Sequence, residues 1–89
     1  MVNQIEKGQN IIIRNKKVVE IEGARNVESF SEEYLVIDST HGNIAVEGNQ
    51  LRIEELRQDI SKIIVVGEIM GVFYIAEKPK RSLFKKKNI

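Results

Sequence analysis

The residues that could support catalysis are few and lie close together in the chain. His41 is the single histidine among 89 residues, and Asp38 and Ser39 shortly precede it. These three residue types form hydrolytic triads, but triads are assembled in space from separate segments of a chain. A histidine among turn-forming residues is usually a solvated loop residue. We therefore expect His41 to have no catalytic role.

Two pairs of adjacent acidic residues are the other candidates for chemistry. Glu32 and Glu33 form one pair, and Glu54 and Glu55 form the other. Neighbouring residues on a strand point to opposite faces, so neither pair converges on one reacting bond. The chain has no cysteine, and its sequence has neither the ligand spacing of a metal site nor a phosphate-binding glycine loop. The sequence therefore predicts no enzymatic activity, no metal and no cofactor.

A basic C-terminal segment is the unusual feature of the charge pattern. Residues 1–77 carry eight Lys or Arg against thirteen Asp or Glu, a net charge of −5, whereas residues 78–89 carry six basic residues and no acidic one. Such a segment can contact an anionic membrane surface or an acidic partner. The predicted contact residues are Lys78, Lys80, Arg81, Leu83, Phe84, Lys85, Lys86 and Lys87.

Two other interpretations of the basic segment stay open. It can be a solubilising tail without a binding role. It can also contact a nucleic-acid backbone. The acidic body, and strands without a basic and aromatic surface on which bases could stack, make nucleic acid the less favoured partner.

The alternation of apolar and polar residues predicts the elements that position these side chains. Residues 42–67 contain two alternating runs, interrupted after Gly48, and then the apolar run Ile63–Val66. We interpret the interruption as a hairpin turn between two strands, with its amides satisfied locally rather than by a ligand. Alternation predicts that Val46, Ile53 and Val65 are buried.

Further strands are predicted on both sides of this stretch. Residues 11–14 and 18–22 are typical of a hairpin, and residues 34–37 and 69–75 of single strands, with Gly71 marking a bulge. Residues 54–61 favour a turn or one short helical turn, and Phe30 is a predicted core contact. Together these patterns predict an all-β fold, a small antiparallel sandwich or roll of about seven to eight short strands.

The predicted organisation is a flexible N-terminus (1–10), a β domain (11–77) and the basic tail (78–89). The N-terminal residues lack the features of a signal peptide, and no apolar run approaches the ~20 residues of a membrane-spanning helix. We expect a cytoplasmic protein, peripheral at a membrane. A small core with several strand edges favours a protein partner or a homo-oligomer.

The order of several short motifs resembles the YabP/YqfC family of sporulation proteins. These motifs are IEGARNVESF at 21–30, AVEG at 45–48 and VVGEI at 65–69, within a similarity that covers residues 18–77. The segments VESF, EEYL and GNQL make the chain more similar to the YabP branch. The resemblance implies a small β-rich protein of endospore-forming bacteria, without enzymatic activity and associated with membrane partner proteins.

The function expected from both arguments is that of a structural or adaptor protein of endospore formation. It would act through protein–protein contacts near the membrane between forespore and mother cell. The alternative is a small β module that binds nucleic acid through its basic tail.

Overall fold

Six strands, each antiparallel to its neighbours, occupy the chain between Asn10 and Ile75. The computed structural model describes residues 8–75. The strands form one sheet in the order β1-β2-β6-β5-β4-β3. The prediction of an all-β antiparallel fold is confirmed, with six strands in place of seven or eight. Their bounds are β1 (Asn10–Arg14), β2 (Val18–Glu22), β3 (Ala24–Phe30), β4 (Tyr34–Ser39), β5 (Gly42–Arg57) and β6 (Lys62–Ile75).

The strand count differs because β5 and β6 each replace two predicted strands. β5 continues through Gly48, so the predicted hairpin turn at this position is wrong. The pairing of β5 with β6 contains register shifts between Glu47 and Gly48 and between Asn49 and Arg52. A β-bulge adds an unpaired residue, which bends a strand without ending it. The polar residues Asn49 and Gln50, which suggest a turn in the sequence, therefore lie at a bend within a continuous strand.

Close approach between β5 and β6 at this bend accounts for two glycines. A Cβ atom on Gly48 would collide with the carbonyl oxygen of Glu68. A Cβ atom on Gly67 would lie 2.6 Å from the carbonyl oxygen of Gln50, and Gly67 has a φ of +141°. Only a residue without a side chain fits either position, because a Cβ atom lacks space at Gly48, and lacks both space and a favourable backbone conformation at Gly67.

The bend divides the sheet into two halves whose inner faces share one core. Half-sheet A consists of β1, β2, the end of β5 and the start of β6; half-sheet B consists of β3, β4, the start of β5 and the end of β6. The buried residues of both halves form a single cluster: Val19, Ile21, Ala24, Leu35, Ile37, Ile44, Val46, Leu51, Ile63, Val65 and Ile69.

The predicted core positions differ in how completely they are buried. Val46 and Val65 are fully buried, as predicted. Ile53 is partly buried and packs against the core cluster, because it lies in the part of β5 that has β6 on one side and β4 no longer on the other. Phe30, at the end of the outer strand β3, remains 49% exposed, so its prediction as a core residue is wrong.

The segment predicted as a turn or short helical turn, residues 54–61, is strand in its first half and turn in its second. β5 extends to Arg57, and residues 58–61 then form the turn into β6. Among residues 8–75, no helix is long and apolar enough to cross a membrane.

Candidate protein-binding face

The residues around His41 do not assemble into a triad. The Ser39 hydroxyl is buried, donates a hydrogen bond to the Gly42 carbonyl at 2.6 Å and accepts one from the His41 backbone N–H at 3.2 Å. The Asp38 carboxylate instead accepts a hydrogen bond from Arg25 at 3.0 Å. Because Asp38 and Ser39 are adjacent on β4, they point to opposite faces of the sheet. These contacts stabilise the loop.

The acidic pairs are surface residues in the structure. Glu32, Glu33, Glu54 and Glu55 are all exposed, and Glu55 lies 3.6 Å from the Arg57 guanidinium. Within residues 8–75, no group of three or more His, Cys, Asp or Glu side chains could hold a metal ion.

The bend also carries an open cleft of about 390 Å³. Gln50, Lys17, Arg52 and Glu68 are among the residues that line it, so the cleft carries two basic side chains and one acidic side chain. The Gly67 backbone N–H donates to the Lys17 carbonyl at 3.1 Å, which ties β6 to the turn after β1. The cleft follows from the bend, and its mixed charges select no single class of ligand.

An exposed apolar surface lies on the outer face of half-sheet B. Cross-strand partners in an antiparallel sheet project to the same face. The register pairs Val36 with Ala45 and Ala45 with Phe73, which forms one row across β4, β5 and β6. Tyr34 and Glu47 form the next row. We call Tyr34, Val36, Ala45 and Phe73 the outer aromatic face.

The exposure of these side chains separates this surface from the core. Phe73 is 44% exposed and Tyr34 is 38% exposed, whereas Ala45 is fully buried. Ala45 is not a member of the core cluster, since it projects to the outer side. The small side chain of Ala45 thus forms the floor of a surface bordered by larger apolar groups. Contiguous exposed apolar patches of this kind are typical of interaction sites.

The outer face of half-sheet A is different, because its centre is an ion cluster. The Glu20 carboxylate lies 3.1 Å from the Lys62 ammonium and 3.1 Å from the Arg14 guanidinium. The hydrogen bond from Lys62, followed by that from Arg14, lowers the pKa of the Glu20 carboxyl group from its ordinary value. The centre of this face is therefore charged, unlike the outer aromatic face.

The predicted tail contacts, from Lys78 to Lys87, lie outside the described residues. Sequence reasoning missed the outer aromatic face instead. Phe73 belongs to the continuous apolar segment 69–75, where alternation does not distinguish the two faces. The sequence pattern gave no signal of this face, because the position of Phe73 beside Ala45 depends on the register of β6 against β5.

The fold and this surface define a small antiparallel β protein with an exposed aromatic surface on the outer face of half-sheet B and an acidic body. The model of the YabP family matches residues 5–81, and the chain belongs to this family. The chain is also similar to "Spore protein YabP" of Bacillus subtilis (strain 168), with 21% identity over 76 residues, which cover 85% of this chain and 76% of that protein. The family resemblance expected from the sequence is confirmed.

Proposed function

We propose that the chain is a structural or adaptor protein of endospore formation that acts by binding a protein partner. Its membership of the YabP family and its similarity to a protein named as a spore protein support the role in spore formation. The observation that carries the binding role is the outer aromatic face, where Phe73 and Tyr34 keep 44% and 38% of their surface exposed. Exposed aromatic side chains are frequent anchors of protein interfaces.

The charge distribution supports different roles for the acidic body (residues 8–75) and the basic tail (residues 78–89). Residues 8–75 carry seven Lys or Arg against eleven Asp or Glu, a net charge of −4. An anionic membrane surface would repel this acidic body and attract the six basic residues of 78–89. In the proposed arrangement the tail holds the protein near the membrane between forespore and mother cell, and the aromatic face binds the partner there.

The same charges argue against the nucleic-acid alternative. A surface that binds nucleic acid combines basic residues with aromatic side chains. The charged neighbour of Phe73 and Tyr34 in the register is Glu47, an acidic residue. The aromatic face is therefore better suited to a protein surface than to a phosphate backbone.

Deletion and complementation test the role in spore formation. We expect deletion of the gene in its spore-forming host to reduce the yield of heat-resistant spores, and the wild-type gene to restore it. Phe73→Lys should fail to restore the yield. Ile60→Lys is the matched control, because Ile60 is an apolar side chain of similar exposure (52%) in the turn between β5 and β6. A normal spore yield after deletion would contradict the proposal.

Photo-crosslinking tests the binding role separately. A photoreactive phenylalanine derivative at position 73 should form one discrete adduct with a protein of the sporulating cell, and the same derivative at position 60 should form none. Equal crosslinking from both positions, or no adduct from position 73, would remove the assignment of the aromatic face as the binding site.

A further inference from the structure

The strand edges of the sheet differ in how well they are protected. β1 is the first strand in the sheet order and, among the described residues, pairs with β2 alone. Its pairing with β2 has no register shift over the five residues Asn10–Arg14. A regular edge with unpaired backbone groups is a template for another strand.

Two of the other edges carry features that oppose strand addition. The pairing of β3 with β4 contains two register shifts, next to Arg25 and Glu28. The part of β5 beyond Asn49 also contains register shifts, and it exposes Arg52, Glu54 and Glu55. Bulges and charged side chains are devices that blunt a sheet edge. Of these three edges, β1 is the one with a regular, apolar sequence. Within residues 8–75, the end of β6 from Val72 to Ile75 is a second regular, apolar edge, because β2 pairs with β6 only up to Val66, and it is not part of the interface proposed below.

The sequence of β1, NIIIR, fits an antiparallel copy of itself. We propose that β1 pairs with β1 of a second copy of this chain about a two-fold axis at Ile12. In this register Ile12 meets Ile12 of the second copy, and Ile11 meets Ile13. Asn10 meets Arg14, so no two like charges are placed opposite each other. The pairing joins the two six-stranded sheets into one continuous sheet.

The exposure of the isoleucines supports this register. Ile13 pairs with Val19, a fully buried residue, and so projects to the inner face of half-sheet A, yet it is 50% exposed. Ile12 projects to the outer face beside Glu20 and is 37% exposed. The core is thus open at β1. A second β1 would place apolar side chains against both exposed isoleucines.

The charge at the end of the strand is also compatible with pairing. The Arg14 guanidinium lies 3.1 Å from the Glu20 carboxylate of its own chain. Its charge is therefore balanced before a second copy approaches. This pairing surface is separate from the outer aromatic face, and the inference does not depend on the proposed role in spore formation.

Sedimentation of the full chain tests the pairing. We expect a reversible monomer–dimer equilibrium at micromolar concentration. Ile12→Lys should weaken the dimer about tenfold, because like charges would oppose each other at the two-fold axis and apolar contacts would be lost. Ile12→Glu should weaken it similarly, and mixing the I12K and I12E chains should restore association. Ser29→Lys on the outer face of β3 is the matched control and should leave the dimer unchanged.

Cysteine crosslinking tests the register, since the chain contains no cysteine. Under mild oxidation, Ile12→Cys should form a disulfide-linked dimer much faster than Arg14→Cys, because only position 12 meets itself across the axis. Circular dichroism of each variant checks that the sheet is retained. A purely monomeric wild-type chain, a dimer that Ile12→Lys does not weaken, or equal crosslinking at positions 12 and 14 would overturn the proposal.

Discussion

At the scale of single residues, Glu20 is a carboxylate that forms ion pairs with two basic side chains. Its side chain keeps 13% of its surface exposed and contacts both Lys62 and Arg14. These hydrogen bonds lower the pKa of the carboxyl group. A carboxyl group whose pKa is lower in the folded state stabilises the fold at a pH above its unfolded pKa and loses this contribution as the pH falls.

We therefore expect Glu20→Gln to reduce stability at neutral pH and to have a smaller effect in acid. The difference between wild type and variant should begin to close below the unfolded pKa of glutamate, about 4.3, and should disappear below the lower folded value. Urea unfolding of both proteins across this pH range measures the difference. Glu28→Gln removes the same charge from an exposed position and is the control. A gap of constant size down to acid pH would contradict this account.

The extent of burial could be predicted at some residues and not at others. Alternation identified the inner face of the sheet correctly at Val46 and Val65. It failed to show that Ile53 stays partly exposed and that Phe30 lies at an open edge. Alternation reports the face to which a side chain points, whereas burial also depends on whether a neighbouring strand covers that face.

Two truncations measure this difference in burial. We expect Ile44→Ala to reduce the free energy of unfolding by about 2–5 kcal/mol, because it opens a cavity in a fully buried site. Ile53→Ala should cost less, because the side chain is already partly exposed to water. Thermal and urea unfolding compare the two variants. An equal or larger loss at Ile53 would show that the end of β5 is covered more fully than its register indicates.

At the scale of elements, the bend in β5 and β6 determines the architecture. The sequence around Gly48 predicts a hairpin because a hairpin turn and a strand bend both interrupt alternation with small and polar residues. The two cases differ only in what the next residues pair with, and that pairing is with β6, which follows later in the chain. A local pattern therefore located the interruption correctly and assigned the wrong topology to it.

Substitutions at three glycines separate the two costs of an added side chain, which are an unfavourable backbone conformation and a lack of space. Gly42→Ala should cost about 1–2 kcal/mol, since its φ of +113° disfavours a Cβ atom but the space around it is open. Gly67→Ala should cost more, because its Cβ atom would also lie 2.6 Å from the Gln50 carbonyl oxygen. Gly71→Ala should be tolerated, with ordinary contacts of 3.8 and 4.0 Å. Unfolding free energies test this order; similar losses at Gly42 and Gly67 would contradict close packing at the bend.

At the scale of the whole molecule, family and fold class could be predicted, but the candidate binding face could not. The family followed from the order of motifs along the chain, which is a property of sequence alone. The outer aromatic face depends on the register of three strands, which places Val36, Ala45 and Phe73 in one row. Residue chemistry excluded a triad at His41 but indicated no surface, because exposed aromatic residues and core residues look alike in an apolar strand.

The proposed attraction of the basic tail to a membrane concerns the whole chain, because the tail and the acidic body have opposite charges. We expect the full chain to co-sediment with vesicles that contain anionic lipid, and a chain that ends at Glu77 to remain unbound. All six strands end by Ile75, so this truncation removes none of them. Binding should weaken as salt rises, because a Debye length of about 10 Å at 0.1 M screens exposed charges. Replacing Leu83 and Phe84 with serine should reduce the time that the protein stays bound to a vesicle, since both side chains can enter the lipid interface.

Neutral vesicles and duplex DNA are the controls for this experiment. Equal vesicle binding by both chains would exclude the membrane role, and tail-dependent binding to DNA alone would favour the nucleic-acid alternative.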